Sequence, residues 1–309
     1  MKKILSVYFS SERTYITIVE PAAKWLSLLY INSTVHPVNL DNLYGQDSVK
    51  GCQEFEIMLN DVPPNIGRIS VTLPAESVLI SQFPGKSDLR HSDIKRLVDL
   101  EIRQSYPNLN IDNFDSSVIP LSPKLDGKQM MMTVIVPKTV IQSCYTLFDG
   151  LGREPDSIEM SQMNAINSML YNYPEERNNT VILFGLDKLF VDISVVTNGK
   201  PIYYNLVSLP NKNQIGELCE NEIHKLLSEY SNFINSAYFF GSALTKDILV
   251  IARNALRGRV KNTSRLNAFR MMKAPQQDER IRSYCSRASH LYPPLIGGCI
   301  PSYYEKIMV

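Results

Sequence analysis

Three short turns carry the residue types from which an anion or nucleotide site is built. The first lies in ILSVYFSSERTYITIVE (4–20) and holds Ser10 and Ser11, with Tyr8 just before them. Serine hydroxyls at a turn can hydrogen-bond an anion. The second lies in VILFGLDKLFVDISVVTNGKPIYYNLV (181–207) and offers Gly185 and Asp187 at a strand-to-strand turn, with Asp192 further along. The third, SAYFFGSALTKDIL (236–249), sets Gly241 and Ser242 between a strand and a helix start that carries Asp247. Glycine lets backbone amides approach a phosphate, and a carboxylate can anchor a metal ion. Tyr8 cannot do the latter at neutral pH, because a phenol titrates near about 10. A single glycine at a strand-to-helix turn is ordinary, so Gly241 speaks for fold before it speaks for binding.

Other chemistries are excluded more firmly. No GxxxxGK[ST], GxGxxG, HExxH or GxSxG sequence occurs. The five cysteines, Cys52, Cys144, Cys219, Cys285 and Cys299, are scattered without a CxxC pair, which fits buried thiols in a reducing compartment. His36, His91, His224 and His290 stand apart from them and from each other, so no metal is expected. Met130-Met131-Met132 reads as core. The net charge of +1 gives no general pull toward nucleic acid or membrane. The one charge asymmetry is 253–287, with ten Lys or Arg against Asp278 and Glu279; it lacks aromatic interleaving and reads as a solvated face, with acidic lipid or an acidic partner as the other reading. No apolar run reaches the ~18–20 residues of a membrane span, and the apolar run at the N-terminus breaks after Phe9, too early for a signal peptide. The expected location is cytoplasmic.

The elements that must position the three turns follow from period and punctuation. Residues 4–9, 13–20 and 24–31 alternate as three antiparallel strands, 48–59 fits a helix, and GRISVTLP (67–74) is a fourth strand. A strand at 76–84 leads to a helix on which Ile94, Leu97, Val98 and Ile102 form one apolar face. Strands at 112–119 and 128–136, a helix at 138–151 and a strand at 155–159 complete a β-α-β-β-α-β unit. After a helix at 161–171 and the polar linker YPEERNNT, strands at 180–185, 189–197 and 201–207 repeat the opening pattern, with Asn198-Gly199 as a two-residue hairpin turn. Helices at 212–230 and 243–255 flank a strand at 236–240. Residues 276–291 read as a helix, and YPPLIGGCIP (292–301) as an irregular closing one.

This order resembles the phosphate-1, phosphate-2 and adenosine elements of the actin-like ATPase superfamily, and is similar in particular to its type IV pilus assembly (PilM) and cell-division (FtsA) families. The resemblance implies an α/β fold with mixed sheets: an actin-like, ribonuclease H-like pair of lobes with an inserted small domain. Residues 1–75 would form the first lobe, completed by 160–175 and a closing helix in 290–309. Residues 76–159 would be the insertion, and 178–289 a reduced second lobe. Between 207 and 236 there is room for one helix only, where nucleotide-holding members insert a subdomain that clasps base and ribose. LNAFRMM (266–272) resembles the segment in which the last strand runs out into a loop.

Aligned with that superfamily, Tyr8 takes the place of the first metal-organising Asp, Ser10 that of the phosphate-approach Gly, and Tyr15 a position often held by Lys. At the second turn neither Phe184-Gly185-Leu186 nor Gly185-Leu186-Asp187 supplies carboxylate and flexible amide together. Tyr8, Ser10, Ser11, Gly185, Asp187, Gly241 and Ser242 therefore read as a degenerate nucleotide site, with no catalysis, no cofactor and no metal implied. The expected role is a non-catalytic scaffold beside the inner membrane, holding the cytoplasmic tail of a membrane assembly protein, with self-association open and nucleic acid excluded. The alternatives are a nucleotide-binding, polymer-forming ATPase and, less well supported, a sugar or metabolite kinase. The closing SYYEKIMV is too short for an FtsA-like amphipathic anchor. A groove for the tail is expected where the insertion meets the first lobe. Strand 76–83 and helix 89–104 would line it, with Arg90, Lys95 and Arg103 for charge and Val78, Ile80 and Phe83 for apolar contact.

Overall fold

The alternation at the N-terminus becomes a hairpin. In the computed structural model, which describes residues 2–22, 25–85, 89–123, 126–230, 233–273, 285–303 and 306–308, β1 (Lys3–Phe9) pairs antiparallel with β2 (Thr14–Pro21), and β2 with β3 (Leu26–Ser33). After α1 (Gln46–Asn60), β4 (Ile66–Leu73) returns parallel to β1. The inserted sheet follows, built from β5 (Leu79–Pro84), β6 (Phe114–Pro120) and β7 (Met130–Pro137), all antiparallel. β8 (Ser157–Met160) then runs parallel to β4, giving the first sheet the order β3-β2-β1-β4-β8. The second half repeats it. β9 (Thr180–Leu186), β10 (Phe190–Thr197), β11 (Lys200–Ser208), β12 (Ile234–Phe240) and β13 (Val260–Arg265) stand in the order β11-β10-β9-β12-β13, with the same parallel and antiparallel senses. Asn198 and Gly199 take positive φ, 52° and 73°, as the hairpin turn requires. The expected mixed α/β architecture with an internal repeat is present, and a single α-helix, α5 (Ile215–Glu229), preceded by the 3-10 turn Lys212–Gln214, lies between β11 and β12 among the described residues.

Three expectations are corrected. β8 does not close the inserted unit; its four residues pair with β4 in the first lobe. The inserted sheet is closed instead by β14 (Ile307–Met308), so its order is β14-β6-β7-β5. The stretch 290–309 is therefore not one closing helix: Pro293–Gly297 is helical (α7), and the chain then extends to β14. The last strand of the second lobe is β13, VKNTSR, upstream of LNAFRMM. Of the helix expected at 276–291, residues 285–288 are helical and 289–291 form a 3-10 turn, while 276–284 lie outside the described residues.

The helices cover the sheets on the faces that the apolar pattern dictates. α2 (His91–Ser105) presents Ile94, Val98 and Ile102, four residues apart, to Phe83, Val118, Met131 and Ile135 of its own sheet. α3 (Lys138–Phe148) buries Val140, Cys144 and Phe148, and Met132 is core as expected. α5 and α6 (Lys246–Leu256) cover one face of the second sheet. α4 (Ser161–Asn172) is buried on nearly all sides although half its residues are polar, and most of these side chains bond across to neighbouring elements, while Gln162 Oε1 is buried without a partner. Asn164 donates to Thr72 Oγ1 (2.7 Å) in one lobe, Gln162 to Ser194 Oγ (2.8 Å) in the other, and Asn172 to the Ala268 carbonyl. α7 crosses α4 so closely that a Cβ on Gly297 would lie 1.7 Å from the Asn164 carbonyl oxygen. Polar pairing in α4 thus ties both lobes to one spine.

Candidate functional site

The three turns do meet, at the mouth of the cleft between the lobes. Tyr8, Ser10, Gly185, Asp187, Asp192, Gly241 and Ser242 all line one cavity there. Its free space is about 30 Å³, enough for roughly two water molecules. Pockets that hold small ligands run to roughly 300–1,000 Å³.

Three polar side chains of that cavity, Ser10, Asp187 and Asp192, are already hydrogen-bonded within the chain. Ser10 Oγ donates to the Arg13 carbonyl at 2.8 Å and accepts from the Arg13 amide at 3.1 Å, closing its own turn. Ser11 Oγ crosses the cleft and donates to Asp187 Oδ1 at 2.7 Å. Asp187 also accepts from the Lys188 amide. The first turn and the second thus bond each other directly. Asp192 accepts from Tyr204 Oη at 2.6 Å, and Asp247 is exposed in the first turn of α6, whose cap is Thr245.

Aromatic rings fill the rest. Tyr8 stacks on Tyr15 with centroids 5.9 Å apart, and Tyr15 meets Tyr292 edge-on. Gly185 lies under Phe240, whose ring would be 2.7 Å from an added Cβ. Gly241 sits at φ +107°, and a Cβ there would lie 2.2 Å from the Leu186 carbonyl oxygen; its amide donates to the His290 carbonyl. Both glycines are explained by close packing, the second also by a backbone conformation that side chains oppose.

The electrostatics run against an anion. The charged residues lining the cavity are Glu76, Asp187 and Asp192, with no Lys or Arg among them. Burial, opposed by the Tyr204 hydrogen bond and reinforced by Glu76 and Asp187, pushes Asp192 up to about 7. Burial, and secondarily the charge of Asp187, pushes Glu76 up to about 7 as well. Glu76 is nonetheless the more solvent-exposed of the two, and solvent screens its charge more than that of Asp192. Burial and the same carboxylates hold the Tyr8 hydroxyl well above the usual phenol range, and it stays neutral. Among the described residues no three His, Cys, Asp or Glu side chains lie close enough to share a metal. A second hollow of about 290 Å³ lies outside the first turn, and its charged lining residues are Asp41 and Glu76. Sequence reading missed Glu76, which falls on the 3-10 turn Ala75–Ser77 and not at the start of a strand. It also missed Phe190, Phe240 and Tyr204, which nothing but the tertiary fold brings to the cleft.

No family model and no curated protein matches the chain. Solved structures do. The chain superposes on one from a PilM-PilN type IV pilus biogenesis complex with TM-score 0.72 at 12% identity, over 96% of this chain and 99% of that one. A Bacteroides thetaiotaomicron protein of actin-like ATPase fold and unknown function gives TM-score 0.52 at 13% identity, over 86% and 91%. The chain has the actin-like ATPase fold. The cytoplasmic domain of EpsL, an inner-membrane component of the Vibrio cholerae type II secretion system, gives 0.50 at 8% identity, over 82% and 94%.

In this actin-like chain the open groove is not where the sequence placed it. Val78 and Phe83 are buried, Ile80 packs on the main core, and α2 lies on its own sheet. Arg90 pairs with Asp93 on the same helix, and Lys95 and Arg103 are exposed. The β5 side of the sheet faces the second lobe, where Gln82 Nε2 donates to the Tyr204 carbonyl at 2.7 Å. The room is on the opposite side. There a groove of about 470 Å³ runs between β6, β7 and α3 of the insertion and residues 155–159 of the first lobe. The basic stretch is likewise dispersed: Arg270 pairs with Glu175, Arg253 bonds the Thr263 carbonyl, and Lys273 lies over the Trp25 ring. Residues 274–284 of that stretch lie outside the described ones.

Proposed function

We propose that the chain is a non-catalytic scaffold of actin-like fold, working at the cytoplasmic face of an envelope assembly machine and holding an extended tail of a membrane partner. One observation carries the reading: the two turns that would embrace a phosphate bond each other through Ser11 and Asp187, over a cavity of about 30 Å³. The lining adds three carboxylates and no cation, so a polyphosphate would meet repulsion in a site of low dielectric. The shared fold with proteins of pilus and secretion assemblies supports the setting. No described helix is long and apolar enough to cross a membrane, and in this reading membrane attachment runs through the partner.

Calorimetry with Mg-ATP tests the first half. No saturable heat is expected at millimolar nucleotide, and a dissociation constant in the low micromolar range would overturn the reading in favour of a nucleotide-driven polymer. Exchanging Tyr8→Asp and Ser10→Gly together leaves binding absent, because Asp187 remains engaged and Phe240 still fills the second turn. Co-expression with the cytoplasmic tails of membrane proteins encoded beside it tests the second half. A stable complex with none of them counts against a scaffold.

A further inference from the structure

The cations of α2 line no groove, and the fold leaves them facing outward together. From Arg90 to Ser105 the helix and its cap carry four basic residues, Arg90, Lys95, Arg96 and Arg103, and three acids, Asp93, Asp99 and Glu101. By sequence the segment is close to neutral. The fold sorts the two signs: all four cations are exposed, and all three acids are half-buried. Among the described residues, Arg90 with Asp93 is the only ion pair that this segment makes. Asp99 stands three residues after Arg96 and four before Arg103, within helical reach of both, yet pairs with neither. Glu101 accepts instead from the hydroxyls of Ser81 and Ser105. Arg96, Leu100 and Arg103 follow one another at helical spacing, on the side opposite the buried Ile94, Val98 and Ile102. Leu100 is 53% exposed between the two arginines.

We infer that the outer crest of α2 rests on the anionic headgroups of a bilayer, so that the inserted domain touches the membrane directly. The inference goes beyond the scaffold reading and rests on it for one thing, a place beside a membrane. An anionic leaflet attracts Lys and Arg that come within a Debye length of it, ~8–10 Å. Lys95, Arg96 and Arg103 have no counter-ion among the described residues, so their charge is free to act outward. A leucine set among cations can enter the apolar boundary beneath the headgroups, as on helices that lie in the plane of the interface. Fifteen residues make the helix about 22 Å long, enough to lie across several headgroups. Two other partners fit this surface less well. A nucleic acid strand would stack its bases on aromatic rings, and residues 89–105 hold none. An acidic protein segment would seek a recess, and no residue of α2 lines any of the three cavities described above.

The test is flotation of the full chain with phosphatidylcholine vesicles, made with and without phosphatidylglycerol, at low and high salt. Binding is expected on the anionic vesicles only, and it should fade as salt rises. Lys95→Gln, Arg96→Gln and Arg103→Gln together should weaken it about a hundred-fold. Leu100→Ser should weaken it about ten-fold and leave its salt dependence unchanged. These four side chains are exposed, so the variants should unfold in urea as the unaltered chain does. Lys246→Gln, Arg257→Gln and Lys261→Gln remove as much exposed charge from the second lobe and should leave binding unchanged. Equal binding to vesicles without phosphatidylglycerol, or no loss in the α2 variant, would overturn the inference. An equal loss in the second-lobe variant would reduce the effect to net charge and overturn it too. So would tighter binding of a single-stranded oligonucleotide that the α2 variant loses. The two readings fail separately. A chain that ignores vesicles and Mg-ATP but still binds a membrane tail loses the lipid contact and keeps the scaffold. A chain that binds vesicles through α2 yet binds Mg-ATP tightly keeps the contact and loses the scaffold.

Discussion

The cleft between the lobes and the groove beside β6 are built from similar parts, strand ends and short turns, yet one is shut and the other open. In the cleft several polar groups face others of the same chain: Ser11 with Asp187, Tyr204 with Asp192, Ser10 with its own turn. Rings of Tyr8, Tyr15 and Phe240 take the volume that remains. In the groove two sheet edges, β6 and β8, run past each other without pairing, and a two-residue strand and one lysine bridge them. A site closes when its donors and acceptors can satisfy each other at short range. It stays open when backbone edges are left over that no neighbouring strand can reach.

The strongest test of this contrast is a methyl group. Gly241→Ala sets a Cβ at φ +107° against the Leu186 carbonyl. With no room to relax, it should cost about 3 kcal/mol or more in urea unfolding. Gly127→Ala, in the open turn between β6 and β7, has φ +79° and nothing within 4 Å of an added Cβ. There only backbone strain remains, roughly 1–2 kcal/mol. Equal costs at the two sites would mean the cleft yields as easily as the insertion, and the contrast would fail.

Next comes pH. Asp192 titrates near 4 when unfolded and at about 7 in the fold, raised chiefly by burial, with Glu76 and Asp187 adding to it and the Tyr204 hydrogen bond opposing. Between those values the folded chain binds the extra proton, so this group makes stability fall as pH rises from about 4 to about 7, and leaves it low above. Asn keeps an acceptor for Tyr204 without the charge. Asp192→Asn should therefore flatten the profile, gaining on the order of 2 kcal/mol relative to the unaltered chain at pH 8 compared with pH 5. Parallel profiles for the two proteins would show that the cleft carboxylates are better solvated than its packing implies.

How much of this was legible in the sequence divides along the same line. Strand alternation, the Asn198-Gly199 turn and the one-sided face of α2 are local, and they sufficed for the three antiparallel strands that open each lobe. Choice of partner is not local. SIEM reads as a strand whether it joins the insertion or, as it does, β4. VKNTSR is an edge strand with little apolar alternation to betray it. α4 buries serines and asparagines that a periodic reading would turn toward solvent. That Tyr8, and no carboxylate, stands just before the first turn was legible. The closing of the cleft was not, because Ser11 and Asp187 lie 176 residues apart and nothing in either turn names the other.

The smallest expected effect separates packing from latching. Ser11→Ala removes a bond that joins the two turns across the cleft, but that bond is exposed, and Asp187 keeps the Lys188 amide as a donor. An exposed hydrogen bond of this kind contributes about 0.5–1 kcal/mol, so unfolding should shift by no more than that. Hydrogen exchange at residues 10–13 and 187–190 should quicken, while β1 and β9 beneath them keep their protection. Mg-ATP should remain unbound, since Tyr8 still stacks on Tyr15 and Phe240 still covers Gly185. If Ser11→Ala instead gained nucleotide affinity, the cleft would be a latched site held shut by a single hydroxyl. The difference between the two clefts would then be one of regulation and not of packing.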